Sequence, residues 1–384
     1  MTSHRHALPF VLMRGGTSKG VFLPRDAMPS SREALIAQLL AVFGSPDVRQ
    51  IDGLGGADKL TSKAAIMGKP TREDADIDYL FAQVGMAHAE VDFNLNCGNL
   101  TAAAAAYAIR EGYVAALGEH AQVRIHNVNT GRIIRATVPL RDGEVREDGE
   151  LAIGGVPGTG APIDLDFSAA TGAITGQMLP LGTAATTLEV PGLGSVPVTV
   201  LDGPNLIVLV AAQALGMQGT ETPDQIDQDG ALVQRMQAIR QTVAERVGLG
   251  EYWHSRGAPS TPMLVAVSAP RSYVRYTTGT LVHADEVDLV CRQYSTAATS
   301  KALAATVTAA IGMACRVPGT VAQAHMRATP DAAIRLGHPS GVIVVQADQS
   351  LTRASIQRTA RLIARGEVYL PASAVRPSTQ VPTP

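Results

Sequence analysis

The chain has 384 residues, 46% hydrophobic and 17% charged, with a formal net charge of −2; that is material for a sizeable core and, by length, for two domains. The near-neutral balance and the lack of basic runs give no reason to expect nucleic acid or an anionic membrane as partner; no stretch reaches the roughly 18 apolar residues of a membrane span, and MTSHRHALPFVLMRGG lacks the layout of a secretory signal. Cys97, Cys291 and Cys315 are odd in number and widely spaced, and the nine histidines form no HExxH motif, so neither a disulfide framework nor a metal site is expected and a reducing cytoplasm is the expected compartment.

In chain order, ALPFVLMRGG, KGVFLP, KAAIMGKP, AQVRIHNV and RIIRATVPL read as strands, β-rich runs bounded by Gly and Pro breaks. SREALIAQLLAVFGSP reads as a helix, capped by Ser30 or Ser31 and stopped by Gly44 and Pro46. In NLNCGNLTAAAAAYAIREG the alanines decide the structure. Ala loses no rotamer freedom in a helix, so Ala102 to Ala106 predict one, closed at Gly112. A helix that is small on every side has no polar face for water, which predicts a central helix wrapped at close range. RDGEVREDGE then reads as a charged hairpin turn and GGVPGTGAPIDLDF as loop and turns.

The second half opens with strands in MLPLGTAATTLEVPGLGSVPVTVLDGPNLIVLV. TPDQIDQDGALVQRMQAIRQTVAERVGLG predicts one amphipathic helix ending at Gly248, and TPMLVAVSAP a strand. SKALAATVTAAIGMACRVPG predicts a second small-residue helix, SGVIVVQADQ a strand, and ASIQRTARLIARGEVYLP a helix running into a strand. Each half thus carries strands, an amphipathic helix and an Ala-rich helix entered from a polar turn. The turns are Asn96-Cys97-Gly98-Asn99 and Thr299-Ser300-Lys301. The pattern predicts two similarly built, pseudosymmetric domains: residues 1–182, completed by 367–384, and residues 183–366. The lack of clean βαβ spacing argues against a doubly wound sheet.

Four segments carry chemistry. In MRGGTSKG the glycines allow close backbone approach, Thr17, Ser18 and successive N–H groups can bind an anion, and Arg14 and Lys19 add charge; a tight hairpin with exposed hydroxyls is the plain alternative. In IDGLGGADKLTSKAAIM, Lys63 opens an apolar strand. It is either a surface gatekeeper or, withdrawn from water, a base near neutral pH. No segment places GxGxxG between a strand and a helix, so a nicotinamide site is not expected. Cys97 stands at a helix N-terminus, where the dipole and free N–H groups favour a thiolate and also bind a carboxylate; Asn96 and Asn99 cap or hold a ligand, and Gly98 allows close approach. Cys291 and Cys315 lie in apolar runs and read as core. In RLGHPSGVIVV, His338-Pro339-Ser340-Gly341 is a turn or a second polar contact for a ligand.

Taken together, MRGGTSKG, GGADKLTSKAAIM, NCGNLTAAAAAYAI, RVPGTV, GHPSGVI and RTARLIARGEVYLP, in this order from residue 13 to about 371, resemble the PrpF family of 2-methylaconitate isomerases, methylitaconate isomerases and 4-oxalomesaconate tautomerases. The resemblance implies an α+β, diaminopimelate epimerase-like fold. Two pseudosymmetric domains each wrap a mixed, barrel-like β-sheet around a central α-helix, with the active site in the cleft and no metal, nucleotide or pyridoxal cofactor. It further implies that Lys63 and Cys97 are an acid–base pair. Thr17 and Ser18 match the family's first substrate turn, Asn96, Gly98 and Asn99 its helix-end anion site, and Ser340 and Gly341 its second-domain ligand turn. One departure bears on the substrate. Family members commonly carry a GKPH-like stretch before the second central helix; here TSKALA supplies Lys301 as the basic group and no His.

The chemistry this implies is a proton shift. A C–H beside the C=C of an unsaturated di- or tricarboxylate is acidified by conjugation. Its removal gives a dienolate whose oxygens are stabilised by N–H donors, at about 3–4 kcal/mol each in other enzymes. Protonation at the far end of the allylic unit then moves the double bond or changes its geometry. The expected partner is this small polycarboxylate, with a homodimer as the assembly considered. Two alternatives stand beside it: an amino-acid epimerase, which needs a thiol from each domain, and a non-catalytic carboxylate-binding protein.

Overall fold

The computed structural model describes residues 6–94, 96–256, 259–296, 298–329, 333–351 and 353–371. Strand β1 (His6–Gly15) turns through Gly16 and Thr17 into β2 (Ser18–Pro24), which pairs with it antiparallel. Helix α1 (Arg32–Phe43) follows, with Ser31 accepting from the Ala34 N–H and Gly44 closing the helix in the left-handed conformation. Next come β3 (Lys63–Gly68), parallel to β2, and β4 (Ile77–Val84), antiparallel to β3. Helix α2 (Gly98–Arg110) leads to β5 (His120–Asn127), parallel to β4, then to β6 (Arg132–Arg141) and β7 (Ile163–Asp166), each antiparallel to the strand before it.

The second half repeats this order. After β8 (Thr186–Val190), the antiparallel pair β9 (Gly194–Asp202) and β10 (Leu206–Ala211) matches β1 and β2. Helices α3 (Pro223–Gln228) and α4 (Gly230–Arg246) stand where α1 stood. Strand β11 (Met263–Ser268) lies parallel to β10 and antiparallel to β12 (Leu289–Ser295). Helix α5 (Ala305–Arg316) leads to β13 (Ala333–His338), parallel to β12, then to β14 (Gly341–Ala347) and β15 (Ala354–Arg358). The last strand, β16 (Ala360–Leu370), runs back antiparallel along β1.

The two units therefore exchange strands. The chain leaves β7 to place β8 against β9, and leaves β15 to place β16 against β1; β7 and β15 pair with each other where the units meet. This is the pseudosymmetric α+β architecture expected, with α2 and α5 as the two central helices. Ala102 to Ala106 are all within 1% of complete burial, and both helices contribute to one continuous apolar core. Of the 367–384 stretch expected to complete the first unit, residues 372–384 lie outside the described residues. No helix among the described residues is long and apolar enough to cross a membrane.

Four local expectations are corrected. Residues 354–370 form two strands, not a helix and a strand, because pairing with β7, β14 and β1 overrides local preference. The long helix of 222–250 is broken at Asp229, whose carboxylate accepts from the Leu232 N–H and starts α4 afresh. The GGVPGTGAPIDLDF stretch contains β7. The second small-residue helix begins only at Ala305, since Gln293 takes the N–H groups of Ser300 and Ala304 through its backbone and side-chain oxygens. Strands β4, β12 and β13 were not anticipated.

Candidate active site

The N-terminus of α2 sits against the β1–β2 turn. A Cβ on Gly16 would stand 2.2 Å from the Asn99 Oδ1 atom and one on Gly15 2.3 Å from the Asn99 carbonyl, so these glycines make room for the helix itself. Asn99 links the two elements: its Nδ2 donates to Thr17 Oγ1 at 3.0 Å, and its Oδ1 accepts from Arg358 Nε at 3.0 Å. Cys97 is the N-cap, and its carbonyl accepts from the Thr101 N–H at 3.0 Å and from the Tyr79 hydroxyl at 3.3 Å. Burial and the nearby Cys97 raise the Tyr79 pKa well above its ordinary value, keeping the phenol a neutral donor. Gly98 lets the two central helices meet. A Cβ there would lie 2.9 Å from Ala305 Cβ and 3.0 Å from Thr306 Cγ2.

Asn96 is bound into the second unit. Asn205 Nδ2 donates to the Asn96 carbonyl at 3.3 Å and to Thr306 Oγ1 at 2.7 Å, and Asn127 donates to Asn96 Oδ1 at 3.0 Å. Two buried polar atoms at this junction, Asn96 Nδ2 and Ser18 Oγ, have no hydrogen-bond partner among the described residues.

Lys63 opens β3 and is 8% exposed. Its Nζ donates to Gln83 Oε1 at 2.6 Å and lies 5.1 Å from the centroid of the Phe81 ring. Gln83 is itself fixed, since its amide donates to the carbonyls of Ser62 and Lys59. Lys59, four residues earlier, brings a second amine, 3.5 Å from Ser300 Oγ. Burial, and then the charge of Lys63, lower its pKa to about 8; Lys301 acts in the same direction and Asp227 and Asp58 oppose it. Three lysine side chains thus converge from positions 59, 63 and 301.

All of this surrounds one cavity of about 500 Å³, walled by both units. Thr17, Ser18, Lys63, Asn96, Cys97, Gly98, Asn99 and Lys301, each singled out from sequence, line it. Three others do not. Arg14 Nη1 donates to the carbonyls of Gly16 and Thr359, clamping the turn from behind. Ser340 Oγ donates to the Lys301 carbonyl at 2.5 Å, and the Gly341 carbonyl accepts from the Tyr273 hydroxyl. The HPSG turn therefore holds the backbone of Lys301 from outside the cavity. Lys59, Gln83 and Asn205 were missed from sequence. Lys59 lies inside the GGADKLTSK segment, where its spacing from Lys63 was the available signal. Among the described residues no group of three or more His, Cys, Asp or Glu side chains is placed to hold a metal ion.

A family model described as PrpF protein matches residues 5–371. The chain is 42% identical over 374 residues to the 3-methylitaconate isomerase of Eubacterium barkeri, covering 96% of this chain and 98% of that one. It is 37% identical over 368 residues to the 4-oxalomesaconate tautomerase of Pseudomonas putida, covering 94% and 96%. Among solved structures, a methylitaconate-delta-isomerase superposes with a TM-score of 0.83 at 41% identity, covering 99% of this chain and all of that one. A hydroxyproline epimerase from Agrobacterium vitis, at 10% identity and a TM-score of 0.55 over 96% and 94% of the two chains, shares the fold.

Proposed function

This chain belongs to the PrpF family and is an isomerase, and from that premise we propose that it shifts a proton across the allylic unit of an unsaturated di- or tricarboxylate, such as 4-oxalomesaconate or 2-methylaconitate, with Lys63 and Cys97 as its acid–base pair. The observation that carries this reading is the convergence on one cavity of Lys63, Cys97 and the cations of Lys59 and Lys301. The cations attract a polyanion. The N–H groups at the start of α2, together with Ser18 Oγ and Asn96 Nδ2, supply donors for oxygens that become negative in the dienolate. Neutral Lys63 takes the proton from carbon and becomes an ammonium. The Cys97 thiol gives a proton to the far end of the allylic unit and becomes a thiolate. Proton exchange between the pair and solvent restores both.

The amino-acid epimerase reading fits less well. It needs a second thiol in the cavity, whereas Cys315 lies near the far end of α5, buried and pushed up to about 12, and Cys291 is raised well above its ordinary value by burial. Ultraviolet absorbance on mixing with aconitate-like acids separates the readings. An isomerase changes the conjugation and therefore the absorbance with time; a binder or an amino-acid epimerase leaves the acid spectrum flat, which would refute the proposal.

A further inference from the structure

A second chamber of about 480 Å³ adjoins the cavity, sharing Thr17, Ala302 and Leu303 as its wall. Arg358, from β15, lines it and is 2% exposed. Its Nε donates to Asn99 Oδ1 and its Nη1 to the Gln357 carbonyl at 2.9 Å. No Asp or Glu among the described residues pairs with it, and burial alone lowers its pKa to about 9. Asp164, the acid on the chamber wall, lies 3.9 Å from Arg353 instead. A buried cation without an anion is costly unless something else compensates it.

Two more guanidinium groups, those of Arg292 and Arg275, act on the wall residue His338. His338, also on the wall, accepts from the Ser340 N–H at Nδ1 and donates to the Lys301 backbone. Burial, followed by Arg358, Arg292 and Arg275, pushes its pKa down to about 3, so it stays neutral and adds no further cation. We propose that this chamber is a carboxylate-binding site with the Arg358 guanidinium as its cation. The planar guanidinium fork matches a carboxylate, and the Arg358–Asn99–Thr17 chain of hydrogen bonds ties the chamber to the start of α2. The carboxylate is either the distal group of a substrate lying across both chambers, which rests on the function proposed above, or a separate small carboxylate.

Calorimetric titration of the full chain with trans-aconitate tests this without needing turnover, so it stands or falls apart from the isomerase chemistry. A substrate-borne carboxylate predicts one acid per chain, bound about ten- to a hundredfold more weakly by Arg358→Gln. A separate carboxylate predicts two acids per chain, falling to one in that variant. Gln357→Glu, at an exposed position on the same wall, adds an acid to the chamber lining and carries the test should Arg358→Gln fail to fold; about tenfold weaker binding or loss of the second acid is expected. Stoichiometry and affinity within twofold of wild type in the folded variants overturn the proposal, as does absence of binding to the wild type.

Discussion

Lys59 sits among like charges, and its ionisation is linked to folding. The amine titrates near 10.5 in an unfolded chain and at about 8 in the fold. Between those values the folded state binds fewer protons, so stability rises with pH from about 8 to 10.5. Below pH 8 the full cost of the buried charge is present. Lys59→Met removes that cost. Urea unfolding at pH 7 is expected to show a gain on the order of 2 kcal/mol, shrinking towards pH 10.5. The same variant is expected to bind an unsaturated polycarboxylate about tenfold more weakly, a loss of one charge-assisted contact. A variant less stable than wild type at pH 7 would contradict the burial argument. At this scale Lys63 and Cys97 were legible because each sits in a distinctive local segment. The clusters around them were not. Lys59 meets Lys301, and Asn99 meets Arg358, across hundreds of residues of chain, and no local spacing encodes such a meeting.

The two central helices meet at Gly98, where a methyl group has no room. Gly98→Ala gains helix propensity but presses on Ala305 and Thr306. The net expectation is a loss of about 1–3 kcal/mol in denaturant unfolding, with a larger relative loss of turnover because Cys97 is the adjoining residue. Unchanged stability would mean that the helices part at little cost. Helices α1, α2 and α5 were legible from capping and small-residue content, since both act within a few residues. The segment 354–370 was not. Its helix-like apolar spacing in RTARLIARGEV gives way to pairing with β1, which lies about 350 residues away in the chain and pairs with it from Ala360 to Leu370 with one register shift at Ile363.

For the molecule as a whole, the repeated order of strands, amphipathic helix and Ala-rich helix was readable as pattern, and the return of 367–384 to the first unit was expected; the strand pairings that make the exchange, β8 with β9 and β16 with β1, were not readable. That exchange follows from where the chain goes after β7 and β15, and it ties the halves together. The cavity depends on that tie. Lys63 and Cys97 come from the first unit, Lys301 from the second, and Asn205 and Asn96 join them across the junction. What the assembled site is for can be read directly by proton NMR of an aconitate-like acid incubated with the enzyme in D2O. Deuterium is expected to enter the allylic carbon as the double bond moves, and Lys63→Ala, folded as judged by circular dichroism, to lower the rate of both by at least about 100-fold. Isomerisation by Lys63→Ala at the wild-type rate, or product formed with no solvent hydrogen, would contradict the proposed proton shift.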